Sequence, residues 1–115
     1  MESRGILLWS EGVARGRIDA ARMCALLSET PAKLYGAYPR KGVIAPGSDA
    51  DIVVLDPEAR GLLTAADQAA NVDYCPYEGW VTQGVIDQVY LRGQLAVDHG
   101  KILTGPVGRY IPRKL

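Results

Sequence analysis

The sequence predicts an α+β fold, with helices in the first third of the chain and a small β unit after them. Up to Tyr38-Pro39, apolar residues recur at helical spacing. After Pro39, apolar runs alternate with turns that contain glycine and aspartate, as is typical of strands and hairpins. Because the helices do not interleave with the strands, the pattern does not fit a complete α/β domain and indicates the end of a larger unit.

Three helical segments are expected before the strand-rich part of the chain begins at Pro39. The apolar residues between positions 6 and 13 form a short face that Gly16 closes. A clearer helix follows Asp19, whose carboxylate is expected to accept unpaired amide hydrogens of the first turn. Thr30-Pro31 predicts the start of another helical turn, with Gly36 as its end. Ile18 and Met23 are spaced as a hydrophobic staple, and Met23, Leu26 and Leu27 are expected to line one face of this helix.

The remainder predicts strands and tight turns. Pro46-Gly47 suits the two central positions of a type II turn. The unbroken apolar run from Asp51 to Leu55 predicts a strand buried on both faces, and a short strand is expected at 62–64 before a long loop. A hairpin is predicted to pair Ile86–Leu91 with Gln94–Val97 across Arg92-Gly93, with a second turn at 98–100 that leads into 101–103.

The carboxylates around the first strand are the strongest candidate for a site. Asp49 and Asp51 alternate by two and could face a hard cation such as Mg²⁺ or Ca²⁺ together, with Asp56 at the far end of the run. The alternative is that these aspartates cap turns through side-chain hydrogen bonds and keep the strand ends solvated. We favour the second interpretation, because Asp51 directly adjoins the apolar run and Asp56 lies five residues further on.

The other reactive residues are few. His99 is the only histidine and lies between Asp98 and Gly100, which predicts an exposed turn residue and not a metal ligand or general base. Cys24 is expected in the helical core, and Cys75 in a loop without a basic neighbour to activate it. No nucleophile elbow, phosphate-binding loop or dinucleotide motif is present. We therefore expect no catalytic, cofactor-binding or metal-binding residue in the chain.

The amino-acid composition limits the kinds of binding partner and cellular compartment that we expect for this chain. The 115 residues are 48% hydrophobic, and 13 basic residues balance 13 acidic ones. This neutral, dispersed charge disfavours a nucleic-acid or membrane surface. The two cysteines form no CxxC pair, so free buried thiols in a reducing compartment are expected. No signal peptide or membrane span is evident, and a cytoplasmic protein is the expectation.

Several stretches, taken in order, closely resemble the C-terminal end of cyclic amidohydrolases of the D-hydantoinase/dihydropyrimidinase group. They are "LLWSEGVARGRID", "TPAKLYGAYPRKGVIAPGSDADIVVLDP", "NVDYCPYEGW", "VYLRGQLAVDHGKIL" and "GRYIPR". The part "KGVIAPGSDADIVVLDP" of the second stretch resembles many amidohydrolases, whereas "NVDYCPYEG" resembles the hydantoinase side more narrowly. One departure is Glu29-Thr30 before Pro31, where members of the group often have Thr-Asn.

The resemblance implies an architecture and a metal centre elsewhere. Residues 1–38 would be the last helices of a TIM-type barrel, residues 39–103 the C-terminal half of a small β-sandwich, and residues 104–115 an extended tail. The family's two divalent metals, expected to be zinc, are held by histidines, a carboxylated lysine and an aspartate at the barrel strand ends, upstream of Met1. None of these ligands carries over to a residue of this chain.

Three functional hypotheses remain open at this point. The first is the C-terminal part of a metal-dependent cyclic amidohydrolase, which supports the barrel or the oligomer and is inactive alone. Its partners would be the barrel portion of the same enzyme or further subunits. The second is a stand-alone, non-catalytic binding or assembly module derived from that family. The third, the least favoured, is a small metal enzyme that uses Asp49, Asp51 and His99.

Overall fold

A computed structural model describes residues 3–113. Its helical part has two continuous stretches. The first, α1, is α-helical over Arg4–Leu7 and widens into a π-helix over Leu8–Val13. The second, α2, comprises Ala20–Cys24, a π-helical turn over Ala25–Glu29 and a last α-helical turn over Thr30–Leu34. All the described helical residues precede position 38, where the sequence predicts the end of the helical part. Positions 1–2 and 114–115 of the predicted segments lie outside the described residues.

Helix α2 begins and ends where the sequence predicts. The Asp19 carboxylate accepts a hydrogen bond from the backbone amide of Arg22 at 2.6 Å, which confirms it as the N-cap. At the other end Gly36 has a φ of +68°, and the Ala37 amide donates to the Ala32 carbonyl at 2.8 Å.

The expected helical turn at Thr30-Pro31 is present with Pro31 near its start, but it continues the preceding helix. Glu29 has helical dihedral angles, so the chain passes from the π-helical turn into Thr30–Leu34 without a break. Pro31 lacks an amide hydrogen, and the wider turn directly before it accommodates a residue that cannot donate.

The β part is one antiparallel meander in the order β1-β2-β3-β4. Its strands are β1 at Ile52–Leu63, β2 at Trp80–Leu91, β3 at Gln94–Asp98 and β4 at Lys101–Ile102. Arg92 and Gly93, with φ of +49° and +80°, form the tight turn between β2 and β3. The pairing of Leu91 with Gln94 and of Val89 with Val97 confirms the predicted hairpin. Two successive positive φ values suit this turn because they match the twist of the two strands.

Both long strands exceed their predicted lengths. Strand β1 runs on from the apolar run through Pro57 and absorbs the short strand expected at 62–64, while β2 starts six residues before Ile86. Pro57 is tolerated because the register with β2 shifts between Asp56 and Arg60. Sequence patterning missed this continuity because a proline usually ends a strand.

The expectation that β1 is buried on both faces is wrong for the described residues. Val53 is 58% exposed and Val54 is 40% exposed. A strand is buried on both faces only when a layer covers each face, and here α1 reaches only part of β2. Among residues 3–113 the buried apolar residues are few: Ile6, Ala32 and Cys75.

The segment between helix and sheet is held by turns and close packing. Ser48 donates to the Ala45 carbonyl at 3.0 Å and Gly47 has a φ of +90°, which confirms the type II turn at Pro46-Gly47. Gly42 lies directly on the backbone of α2. Within residues 3–113, no helix is long and apolar enough to cross a membrane.

Candidate functional site

The carboxylates of Asp49 and Asp51 are engaged by cations of the chain itself. Asp49 accepts from Arg40 Nε and Lys41 Nζ, each at 3.0 Å, and Asp51 pairs with the same Lys41 ammonium. The hydrogen bond from Lys41, together with that from Arg40, holds the pKa of Asp49 below its ordinary value. Burial works against the charge of Lys41, but the hydrogen bonds to Asp51 and Asp49 prevail and raise its pKa. Ammonium and guanidinium groups therefore occupy the positions a metal ion would need.

The same aspartates also satisfy backbone amides. The second oxygen of Asp51 accepts from the amide of Arg92 at 2.8 Å. Asp56 accepts from the amides of Glu58 and Ala59 at 2.9 and 3.2 Å, which closes the local turn at the irregularity of β1. The bonds of Asp56 confirm the turn-capping interpretation for that residue, whereas Asp51 bonds an amide of the distant turn between β2 and β3.

His99 lies apart from those aspartates, at the turn between β3 and β4. Its side chain is 70% exposed; its Nδ1 is 3.0 Å from Asp98 and its Nε2 is 3.2 Å from Asp87. The hydrogen bond from Gln88, followed by that from His99, lowers the pKa of Asp98. The prediction of an exposed turn residue is confirmed. In the described part of the chain, no three groups of ligand type come together as a metal site would require.

The two cysteines have different environments. Cys75 is buried, and its Sγ accepts a hydrogen bond from Gln68 Nε2 at 2.9 Å. Cys24 is exposed on α2, so the expectation that it belongs to the core is wrong. Cys24 was assigned to the core because it is next to Met23 on the helix. In the structure, α1 and the turn at 40–50 contact other parts of α2 and leave Cys24 exposed. Both thiols are free, as expected.

A close contact joins α1 to the sheet. Ser10, which is 4% exposed, accepts from the amide of Gln83 at 3.0 Å. Trp9 lies against Gly84, where an added Cβ would meet its indole ring at 2.7 Å. Thr82, the most deeply buried side chain, donates to the Gly84 carbonyl at 3.2 Å. The sequence analysis missed this joint, and the only signal for it was a glycine inside an apolar strand pattern.

An apolar groove runs beside this joint, between α1, α2 and the turn that precedes β2. Its cavity volume is about 580 Å³, and its apolar lining comprises Leu7, Leu8, Ile18, Leu26, Leu27 and Trp80. Leu26 and Trp80 are 43% and 41% exposed. Leu26 in the groove and Val54 on β1 are exposed, whereas Met23, Leu27 and Ile52 are half-buried.

Helix α1, helix α2 and the meander define a small α+β unit, and this unit has known relatives. The model of the Amidohydrolase family matches residues 1–96. A D-phenylhydantoinase of Escherichia coli O127:H6 is 41% identical over 109 residues, which are 95% of this chain and 23% of that protein. The chain therefore belongs to the amidohydrolase family, and the hydantoinase resemblance of its sequence is confirmed.

Solved structures agree with this assignment. A D-hydantoinase structure superposes with a TM-score of 0.94 at 39% identity, over 98% of this chain and 25% of that one. A D-hydantoinase (dihydropyrimidinase) from Thermus sp. gives 0.86 at 44% identity, over 90% and 23%. An L-hydantoinase (dihydropyrimidinase) from Arthrobacter aurescens gives 0.83 at 31% identity, over 86% and 22%. The chain spans about a quarter of the length of the relatives that it matches.

Proposed function

We propose that this chain is the C-terminal part of a hydantoinase-type cyclic amidohydrolase and that its role there is structural. In this proposal α1 and α2 are the last helices of a TIM-type barrel, and the meander is the C-terminal half of a composite β-sandwich. The carrying observation is that nearly the whole chain aligns with about a quarter of the hydantoinases it matches.

The distribution of exposed apolar groups supports a missing neighbour. Strand β1 is an edge of the sheet, yet it carries the apolar run and leaves Val53 and Val54 exposed. The groove between α1 and α2 leaves Leu26 open as well. Exposed apolar side chains on a sheet edge and in a groove are expected where a neighbour is missing, and they are costly in a free monomer. A first set of sandwich strands and the body of a barrel are the occupants that this proposal assigns.

The aspartates and the histidine of this chain that could bind a metal are not arranged as the metal centre of such an enzyme requires. Amidohydrolases are generally metal-dependent. Here Asp49 and Asp51 are paired with Lys41, and the only histidine, His99, lies on a different turn. We therefore assign the hydrolysis of cyclic amide C–N bonds, and the metals that support it, to the barrel portion and no catalytic role to this chain.

A chimera tests the proposal. The 109-residue segment of the Escherichia coli D-phenylhydantoinase that aligns with this chain is replaced by the chain itself, and hydantoin hydrolysis is measured. An active chimera is expected, because the chain needs only to provide the same packing surfaces. A matched chimera that carries Gly84→Val should lose soluble enzyme, since the new side chain would enter the space of Trp9.

The isolated chain provides the complementary measurement. It is expected to bind a hydrophobic dye and to associate, and to show no hydantoin hydrolysis. A monodisperse monomer without dye binding, combined with an inactive chimera, would favour the stand-alone assembly module. Ring opening by the isolated chain that stops when a chelator is added would contradict the assignment of all catalysis to the barrel portion.

A further inference from the structure

The segment after β4 contacts the β2–β3 hairpin at two points. The Leu103 amide donates to the Ala96 carbonyl at 2.9 Å, and Arg92 Nη2 donates to the Val107 carbonyl at 2.6 Å. Between these points residues 104–106 span the hairpin without joining the sheet. A cavity of about 350 Å³ lies between segment and hairpin, and Gln94 also lines it.

The Arg92 side chain starts from a fixed backbone. Its residue has a φ of +49° in the tight turn, and its amide donates to the Asp51 carboxylate, which in turn pairs with Lys41. The guanidinium bond to Val107 is partly buried. A hydrogen bond from a charged donor is about twice as strong as one between neutral groups. Arg92 thus connects the tail to the hairpin through its side chain, and its backbone amide connects the hairpin to the turn before β1.

We propose that residues 104–109 form a strap and that Arg92 is the latch that holds it on the hairpin. When the Arg92 bond to Val107 is formed, the strap is held against the hairpin as far as Val107. Tyr110, which follows the strap, is 87% exposed. With the latch open, the free arm begins at Thr104 and the end of β2 at Leu91 is uncovered. The strap is a property of this chain and does not depend on the proposed enzymatic context.

Limited proteolysis with trypsin tests the latch. Cleavage of the Arg109–Tyr110 bond requires several residues on each side to enter the protease, so the strap must detach first. When opening and closing are fast, the cleavage rate follows the population of the open form. Arg92→Gln should raise this rate about tenfold, the effect of losing one charge-assisted hydrogen bond. Arg92→Lys should raise it by a smaller factor, because one ammonium replaces the guanidinium fork.

Gln94→Ala is the matched control, because Gln94 lines the same cavity and should leave the rate unchanged. The release of residues 110–115 is followed by mass spectrometry on chains whose circular dichroism matches the wild type. Equal rates for Arg92→Gln and the wild type, or equal acceleration by Gln94→Ala, overturn the proposal. If Arg92→Gln does not fold, Arg92→Lys decides: a rate above that of Gln94→Ala supports the latch, and an equal rate overturns it.

Discussion

The contact between Gly42 and helix α2 yields the sharpest stability prediction. Gly42 has a φ of +87°, and a Cβ added there would lie 2.6 Å from Ala32 Cβ, 2.9 Å from the Ser28 carbonyl oxygen and 3.1 Å from Glu29 Cα. Two of these three atoms belong to the helix backbone and cannot rotate away. Gly47 has nearly the same φ, +90°, but has no atom within 4 Å of the added Cβ.

The two glycines therefore separate a conformational cost from a packing cost. Alanine at a positive φ costs about 1–2 kcal/mol, and this cost applies to both Gly42→Ala and Gly47→Ala. Overpacking against a fixed neighbour adds about 1–3 kcal/mol, and this cost applies only at Gly42. We expect Gly47→Ala to lower the free energy of unfolding by about 1 kcal/mol and Gly42→Ala to lower it by about 3 kcal/mol.

Urea denaturation followed by circular dichroism measures both values on the same chain. The difference between the two variants is the informative quantity, because it cancels the shared backbone cost. A difference below about 0.5 kcal/mol would contradict the close approach of the 40–50 turn to α2.

Three further predictions follow from single contacts. Ser10→Ala should lower the free energy of unfolding by about 1–3 kcal/mol in the same denaturation assay, because a β2 amide loses its acceptor. Cys24 should react with a thiol reagent at once and Cys75 only after unfolding; equal rates would contradict their different burial. The hydrogen bond from Lys41 lowers the Asp49 pKa below its ordinary value, so the stabilisation is present above the ordinary pKa and is lost as the pH falls through the lowered one; in an acid titration Asp49→Asn should not show this loss.

Local features of the fold could be predicted because each rests on a few adjacent residues. The Asp19 cap, the Pro46-Gly47 turn and the Arg92-Gly93 hairpin depend on dihedral preferences and on side chains that reach their own backbone. The turn-capping role of Asp56 was likewise foreseeable, because its carboxylate bonds to amides two and three residues further on. The family resemblance was also visible in the sequence, since its motifs lie in continuous stretches.

Contacts between residues that are far apart in the chain could not be predicted from the sequence. Nothing near Ser10 in the chain indicates that its hydroxyl meets the amide of Gln83, or that Trp9 lies on Gly84. The continuation of β1 through Pro57 depended on a shift of register against β2. The exposure of Cys24 depended on which side of α2 has a neighbour. In each case the deciding atoms are distant along the chain.

By itself, the sequence determined the class of fold, the order of helices and strands, the tight turns and the family. It also determined that a single imidazole is available, which weighs against a dinuclear metal site. The tertiary structure alone decided that Lys41 and Arg92 satisfy the aspartates, and that the tail returns to the hairpin. The physical reason is that dihedral preferences act between neighbours, whereas ion pairs, burial and close packing depend on which distant segments the fold brings together.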